Sequence, residues 1–87
     1  MKCYIISYDL RGNRDYDSLY RAIKSYPKWA HITESTWAIV TEKTAAQVRD
    51  ELCRVIDRDD RMFVVRSGAE AAWRNVICRN EWLKENL

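Results

Sequence analysis

The first residues, Met1 to Leu10, read MKCYIISYDL, with Cys3, Ile5, Ser7 and Asp9 alternating against Tyr4, Ile6, Tyr8 and Leu10. Both sets are largely apolar, which predicts a β-strand covered on both faces and ending in a tyrosine and a carboxylate. Gly12 and Asn13 break that run, so a short loop from Arg11 to Arg14 follows, with Asn13 placed to cap a helix. Tyr16, Leu19, Tyr20 and Ile23 then fall at i, i+3, i+4 and i+7, one face of an α-helix, with Asp15 and Asp17 in the first turn where the dipole favours acids. Pro27 ends that helix near Tyr26.

Trp29 to Thr41, WAHITESTWAIVT, is rich in β-branched and aromatic residues but long for one strand in a small domain. It predicts two strands meeting near Glu34 and Ser35, or one strand sharply bent there. Thr44 and Gln47 form a capping box, and Val48, Leu52, Val55 and Ile56 continue at helical spacing, so a second helix is expected from about Ala45 to Ile56. Arg58 to Arg61 reads as a charged turn and Met62 to Val65 as a short buried strand. Ala69 to Cys78 fits a helical turn, an irregular cover or an extra strand; Asn80 is placed to cap a last helix from Glu81 to Leu87.

In order, these elements give an α+β chain of ferredoxin-like βαββαβ pattern: an antiparallel sheet with two helices on one face and a C-terminal helical extension. A single domain is expected over 1–87, with its core at about 1–66 and the extension at 67–87. Because strands one, three and four are apolar on both sides, the sheet face away from the helices needs a cover. A second copy of the chain is the simpler one, with the C-terminal segment as the alternative.

Composition narrows the chemistry. Eighty-seven residues leave room for one small core, and four Trp and five Tyr are many for it, so some of these rings are expected to face a partner. The 15 basic and 13 acidic residues are interspersed and leave a net charge of +2, which argues against a strong non-specific polyanion binder and leaves room for a local basic patch. Three cysteines without CxxC or Cys/His spacing argue against a disulfide framework or structural zinc, and fit reduced thiols in a cytoplasmic protein. The opening apolar run is too short to span a membrane and lacks a cleavage pattern, so no membrane association is expected. No glycine-rich phosphate loop, dinucleotide fingerprint or hydrolase elbow is present.

Tyr8-Asp9-Leu10 ending the first strand, a helix, Ser35-Thr36-Trp37 in the next strand region and Thr44 opening the second helix recur as an ordered set. Over roughly Met1 to Val65 the chain resembles the small CRISPR-associated spacer-acquisition nucleases of the Cas-two family and their SinR-like and VapD-like relatives. It is nearest the SinR-like branch, which is also similar in the stretch Glu81-Trp82-Leu83-Lys84. Trp37 stands where a phenylalanine is more usual; Pro27, Lys28 and Trp29 replace a common glycine, and the family's C-terminal strand is not recognisable.

The resemblance implies a ferredoxin-like homodimer acting on or binding nucleic acid. It also implies that Asp9 of each subunit faces its mate across a cleft where Mg²⁺ is held, with Ser35 as a second catalytic residue. Arg11, Arg14 and Trp37 become candidate substrate-binding residues: guanidinium forks suit phosphate, and indoles can stack bases. Each has a plainer role available. Asp9 can cap its turn or pair with Arg11 or Arg14, the arginines can be solvated loop charge, Ser35 can bond the local backbone, and Trp37 can be core. His31, the only histidine, fits a half-exposed strand residue. A Mg-dependent endonuclease therefore stands beside a non-catalytic dimeric module for nucleic acid, nucleotide or protein in phage defence or a toxin–antitoxin setting, and beside a toxin-like ribonuclease resembling the VapD-like relatives.

Overall fold

In the computed structural model, which describes residues 1–12 and 15–87, the first strand is the middle of the structure. Strand β1 (Lys2–Asp9) pairs antiparallel with β3 (Thr36–Thr41) on one side and β4 (Arg61–Arg66) on the other. Strand β2 (Lys28–Thr33) pairs antiparallel with β3, giving the sheet order β2-β3-β1-β4. The WAHITESTWAIVT stretch is thus two strands joined at Glu34 and Ser35, the first of its two readings, and not one bent strand.

Alternation along β1 becomes two layers. Tyr4, Ile6 and Tyr8, with Leu10 beyond the strand, form one buried cluster with Trp37 and Ile39 of β3, Leu19 and Ile23 of helix α1 (Tyr16–Ile23), and Val48 and Leu52 of helix α2 (Ala45–Cys53). Both helices therefore cover the same sheet face. On the other face Cys3, Ala38 and Val40 pack with Ile5, Ile32, Trp82 and Leu87, so the C-terminal helix α3 (Asn80–Asn86) covers part of it. The C-terminal segment, the alternative read from the sequence, thus supplies part of this cover.

Helix ends show where spacing misleads. The Thr44–Gln47 capping box forms with both of its hydrogen bonds. α2 nevertheless stops at Cys53 rather than Ile56, because the amides of Arg54 and Val55 turn to the carbonyls of Glu51 and Leu52, three residues back. Val55 and Ile56 still pack against the core, which accounts for their apolar character. α1 is capped by Asp15, whose carboxylate accepts from Ser18 N at 3.1 Å; the Asn13 cap expected from sequence lies outside the described residues. α1 ends at Ile23, three residues before Tyr26, whose half-buried hydroxyl donates to Glu51 Oε1 at 2.6 Å. Asn80 does not cap α3 but sits inside it, accepting from Trp73 Nε1. Of the three readings for residues 69–78, the irregular cover is correct, fixed where Ile77 N donates to Ile32 O at 2.9 Å.

β4 departs most from expectation. It is an edge strand, and only Met62 and Val64 pack on the core; Phe63 and Val65 are 63% and 42% exposed. Among the described residues no helix is long and apolar enough to cross a membrane.

Candidate functional site

Of the described residues singled out from the sequence for a site, Asp9 alone lines a cleft at the end of β1. Antiparallel pairing sets Ser7 opposite Phe63, Tyr8 opposite Met62 and Asp9 opposite Arg61, and these residues line a cleft of about 170 Å³. Strand alternation puts Ser7 and Asp9 on the face away from α1 and α2, so their side chains are available. Asp9 Oδ2 lies 3.2 Å from Arg61 Nη1, both side chains more than half exposed. Among the described residues Asp9 pairs with Arg61, the residue that the strand register brings alongside, and not with Arg11; a pairing with Arg14 lies outside the described residues.

Around it the backbone is held firmly. Tyr8 N donates to Ser35 O at 3.3 Å, which ties the β2–β3 turn to the end of β1; Ser35 is exposed but does not line the cleft. Tyr8 points the other way: its hydroxyl donates to Glu34 O and accepts from Trp37 Nε1 at 3.0 Å. Burial raises the pKa of that hydroxyl and keeps it neutral. His31 stacks on Trp37 at 4.0 Å, with Nε2 3.2 Å from Glu34 O, so the same carbonyl anchors both side chains.

Trp37 does not belong to the cleft. It is 1% exposed, enclosed by Tyr20, Trp29 and His31, and offers no surface to a ligand. Arg11 is exposed, with its backbone amide, like that of Gly12, donating to Asp60 Oδ1; Arg14 lies outside the described residues. A β-carbon on Gly12 would overlap the Asp57 side chain, so glycine is the residue that lets this loop close on the 57–60 turn.

Asp60 is the residue that sequence reasoning overlooked, filed in a charged turn with Arg61. Its two oxygens accept from the amides of Arg11, Gly12 and Asp57. The Gly12 amide first, with those of Arg11 and Asp57, holds its carboxyl below the ordinary aspartate value. A depressed folded-state pKa contributes stability above the unfolded value near pH 4 and loses it as pH falls through the lower folded value. Asp60→Ala is therefore expected to lower the melting temperature at neutral pH, with the gap from wild type closing as pH is taken well below 4. Equal melting curves at pH 7 would show that the carboxylate does not hold the loop.

As a metal centre the cleft is sparse. Among the described residues no three His, Cys, Asp or Glu side chains stand together as a ligand set. Asp9 supplies one hard oxygen donor, the chemistry Mg²⁺ accepts while keeping most of its waters, and it is the one carboxylate that lines this cleft among the described residues.

No family model matches the chain. In fold it is similar to the crystal structure of a hypothetical protein, TT1823, from Thermus thermophilus, with a TM-score of 0.67 and 18% identity over 86% of this chain and 92% of that one. The likeness supports a small α+β fold with a four-stranded antiparallel sheet, and a fold alone carries no function.

Proposed function

We propose that the chain is a dimeric ferredoxin-like protein of the Cas-two kind, nearest the SinR-like branch, that acts on nucleic acid at the Asp9 cleft. The strand order β2-β3-β1-β4, with α1 and α2 packed on one face, supports the split β-α-β description. The single observation that carries the reading is the position of Asp9: exposed, at the end of a central strand, and flanked by Arg61, Ser7 and the exposed Phe63. Phe63 and Val65 leave this side of the sheet apolar and uncovered by α3, which suits a second copy that brings its own Asp9 close. Three free cysteines suit a cytoplasmic setting.

Within each chain Arg61 and Arg11 offer guanidinium donors for a phosphodiester, and the exposed Ser35, in the β2–β3 turn bonded to Tyr8 N, a hydroxyl. Mg²⁺ held by Asp9 from both copies would supply Lewis-acid and water-activating chemistry at the scissile phosphate.

Asp9→Asn is expected to abolish Mg²⁺-dependent cleavage of single-stranded RNA or DNA while leaving the fold intact, since an exposed ion pair contributes below about 1 kcal/mol. Cleavage at the wild-type rate by that variant overturns the nuclease reading. One observation favours a second reading, a binding module without turnover: the Arg61 guanidinium already occupies the cation position beside Asp9. Under that reading wild type binds oligonucleotide without hydrolysis across divalent metals, and Arg61→Ala weakens binding instead of sharpening metal dependence.

A further inference from the structure

The β1–β4 ladder runs as far as Asp9 opposite Arg61. Ser67 N donates to Cys3 O, which makes every second pair from there a hydrogen-bonded one: Ile5–Val65, Ser7–Phe63 and Asp9–Arg61. The next such rung would set Arg11 against Asp59. The chain turns there instead, Asp60 N donating to Asp57 O at 3.0 Å, and a side chain takes the rung's place. Asp60 Oδ1 accepts from Arg11 N at 2.5 Å and from Gly12 N at 2.8 Å, while Oδ2 accepts from Asp57 N at 2.8 Å.

One carboxylate thus ties the 57–60 turn to the first residues past β1. Gly12 makes the closure possible, since a β-carbon there would lie 2.8 Å from Asp57 Cβ. The dipeptide Asp60-Arg61 therefore grips the chain on both sides of the buried Leu10: Arg61 by the side chain of Asp9, Asp60 by the amides of Arg11 and Gly12. The Arg11 side chain itself is left exposed on this fixed backbone. A guanidinium that starts from an ordered backbone loses less freedom on taking a ligand than one on a loose loop.

We infer that Asp60 is a positioning residue for phosphate binding: it touches no ligand, but by holding the Arg11 amide it fixes the point from which the Arg11 guanidinium reaches a phosphodiester. This rests on the nucleic-acid reading above and names the residue through which one of its arginines becomes effective. Charge and position make opposite demands on Asp60. By charge alone, removing an acid next to arginines should tighten the grip on a polyanion. By position, removing it should loosen that grip, because Arg11 loses its anchor.

The test is fluorescence anisotropy of a labelled single-stranded oligonucleotide at low salt in EDTA, at a temperature where circular dichroism shows every variant folded. Asp60→Ala is expected to bind roughly two- to tenfold more weakly, the worth of one ordinary hydrogen-bonded contact. Asp60→Asn removes the charge but keeps an oxygen for the Arg11 and Gly12 amides, so it should bind at least as tightly as wild type. Asp59→Ala removes the same charge one residue away, from an exposed side chain that bonds to no other described residue, and should also bind at least as tightly. On an Arg11→Ala background, Asp60→Ala should cost nothing further. Gly12→Ala, which opens the closure from its other side, should reproduce the Asp60→Ala loss and serves where that variant does not fold. Unchanged or tighter binding by Asp60→Ala, an equal loss in Asp60→Asn, or full additivity with Arg11→Ala overturns this inference and leaves the nucleic-acid reading standing. Wild type that ignores the oligonucleotide overturns both.

Discussion

Trp37→Ala is expected to lower the unfolding free energy by about 3–5 kcal/mol, the usual cost of removing a large buried aromatic side chain. The indole is 1% exposed and meets Tyr20, Trp29 and His31, so its removal leaves a cavity beneath three rings. It also takes away the hydrogen bond from Nε1 to the Tyr8 hydroxyl, although that hydroxyl keeps its bond to Glu34 O. A domain of this length has roughly 4–13 kcal/mol of stability in all, so the loss would be a large share of it. Urea melts should show a lower midpoint with little change in slope, and Trp37→Phe should fall between the two. A loss below about 1 kcal/mol would return Trp37 to the exposed role that the resemblance implied for it.

The contrast between Trp37 and Trp29 shows what a linear pattern conveys. Both sit in one β-rich stretch, and alternation puts them on the same side of the hairpin. What separates them is sheet order: Trp37 lies on β3 between two strands and under α1, while Trp29 lies on edge strand β2. Local signals were legible. The β1 alternation, the Thr44–Gln47 box and the break at Glu34 and Ser35 depend on neighbours in sequence and form as expected. Edge status is not local, which is why Met62 to Val65 read as a buried strand and proved half exposed.

Asp9 follows the same rule. Its position at a strand end was visible, but its partner Arg61 lies 52 residues away and is fixed only by the β1–β4 register. Arg58 to Arg61 looked like an undifferentiated charged turn; once folded, Asp60 closes the Arg11–Gly12 loop and Arg61 meets Asp9. Neighbouring charges thus do different work because β4 begins between them.

Leu83→Ala should cost about 2–5 kcal/mol and should do so locally first, by loosening α3 from the sheet. Leu83 is 1% exposed and is the buried residue of a helix of seven residues, too short to persist without tertiary support. Its neighbours Trp82 and Leu87 pack over Cys3, Ala38 and Val40, so undocking α3 would uncover Cys3. That thiol reports the event directly. It is 8% exposed, whereas Cys53 is on the surface; burial raises the pKa of both thiols, so access is what separates them. In native wild type, iodoacetamide followed by mass spectrometry should label Cys53 well before Cys3. In Leu83→Ala the Cys3 rate should rise thirtyfold or more, since each 1.4 kcal/mol removed from the opening energy is about a factor of ten. Cys3 labelling as fast as Cys53 in wild type, or unmoved in the variant while the melting temperature falls, would mean that α3 is not what covers this face.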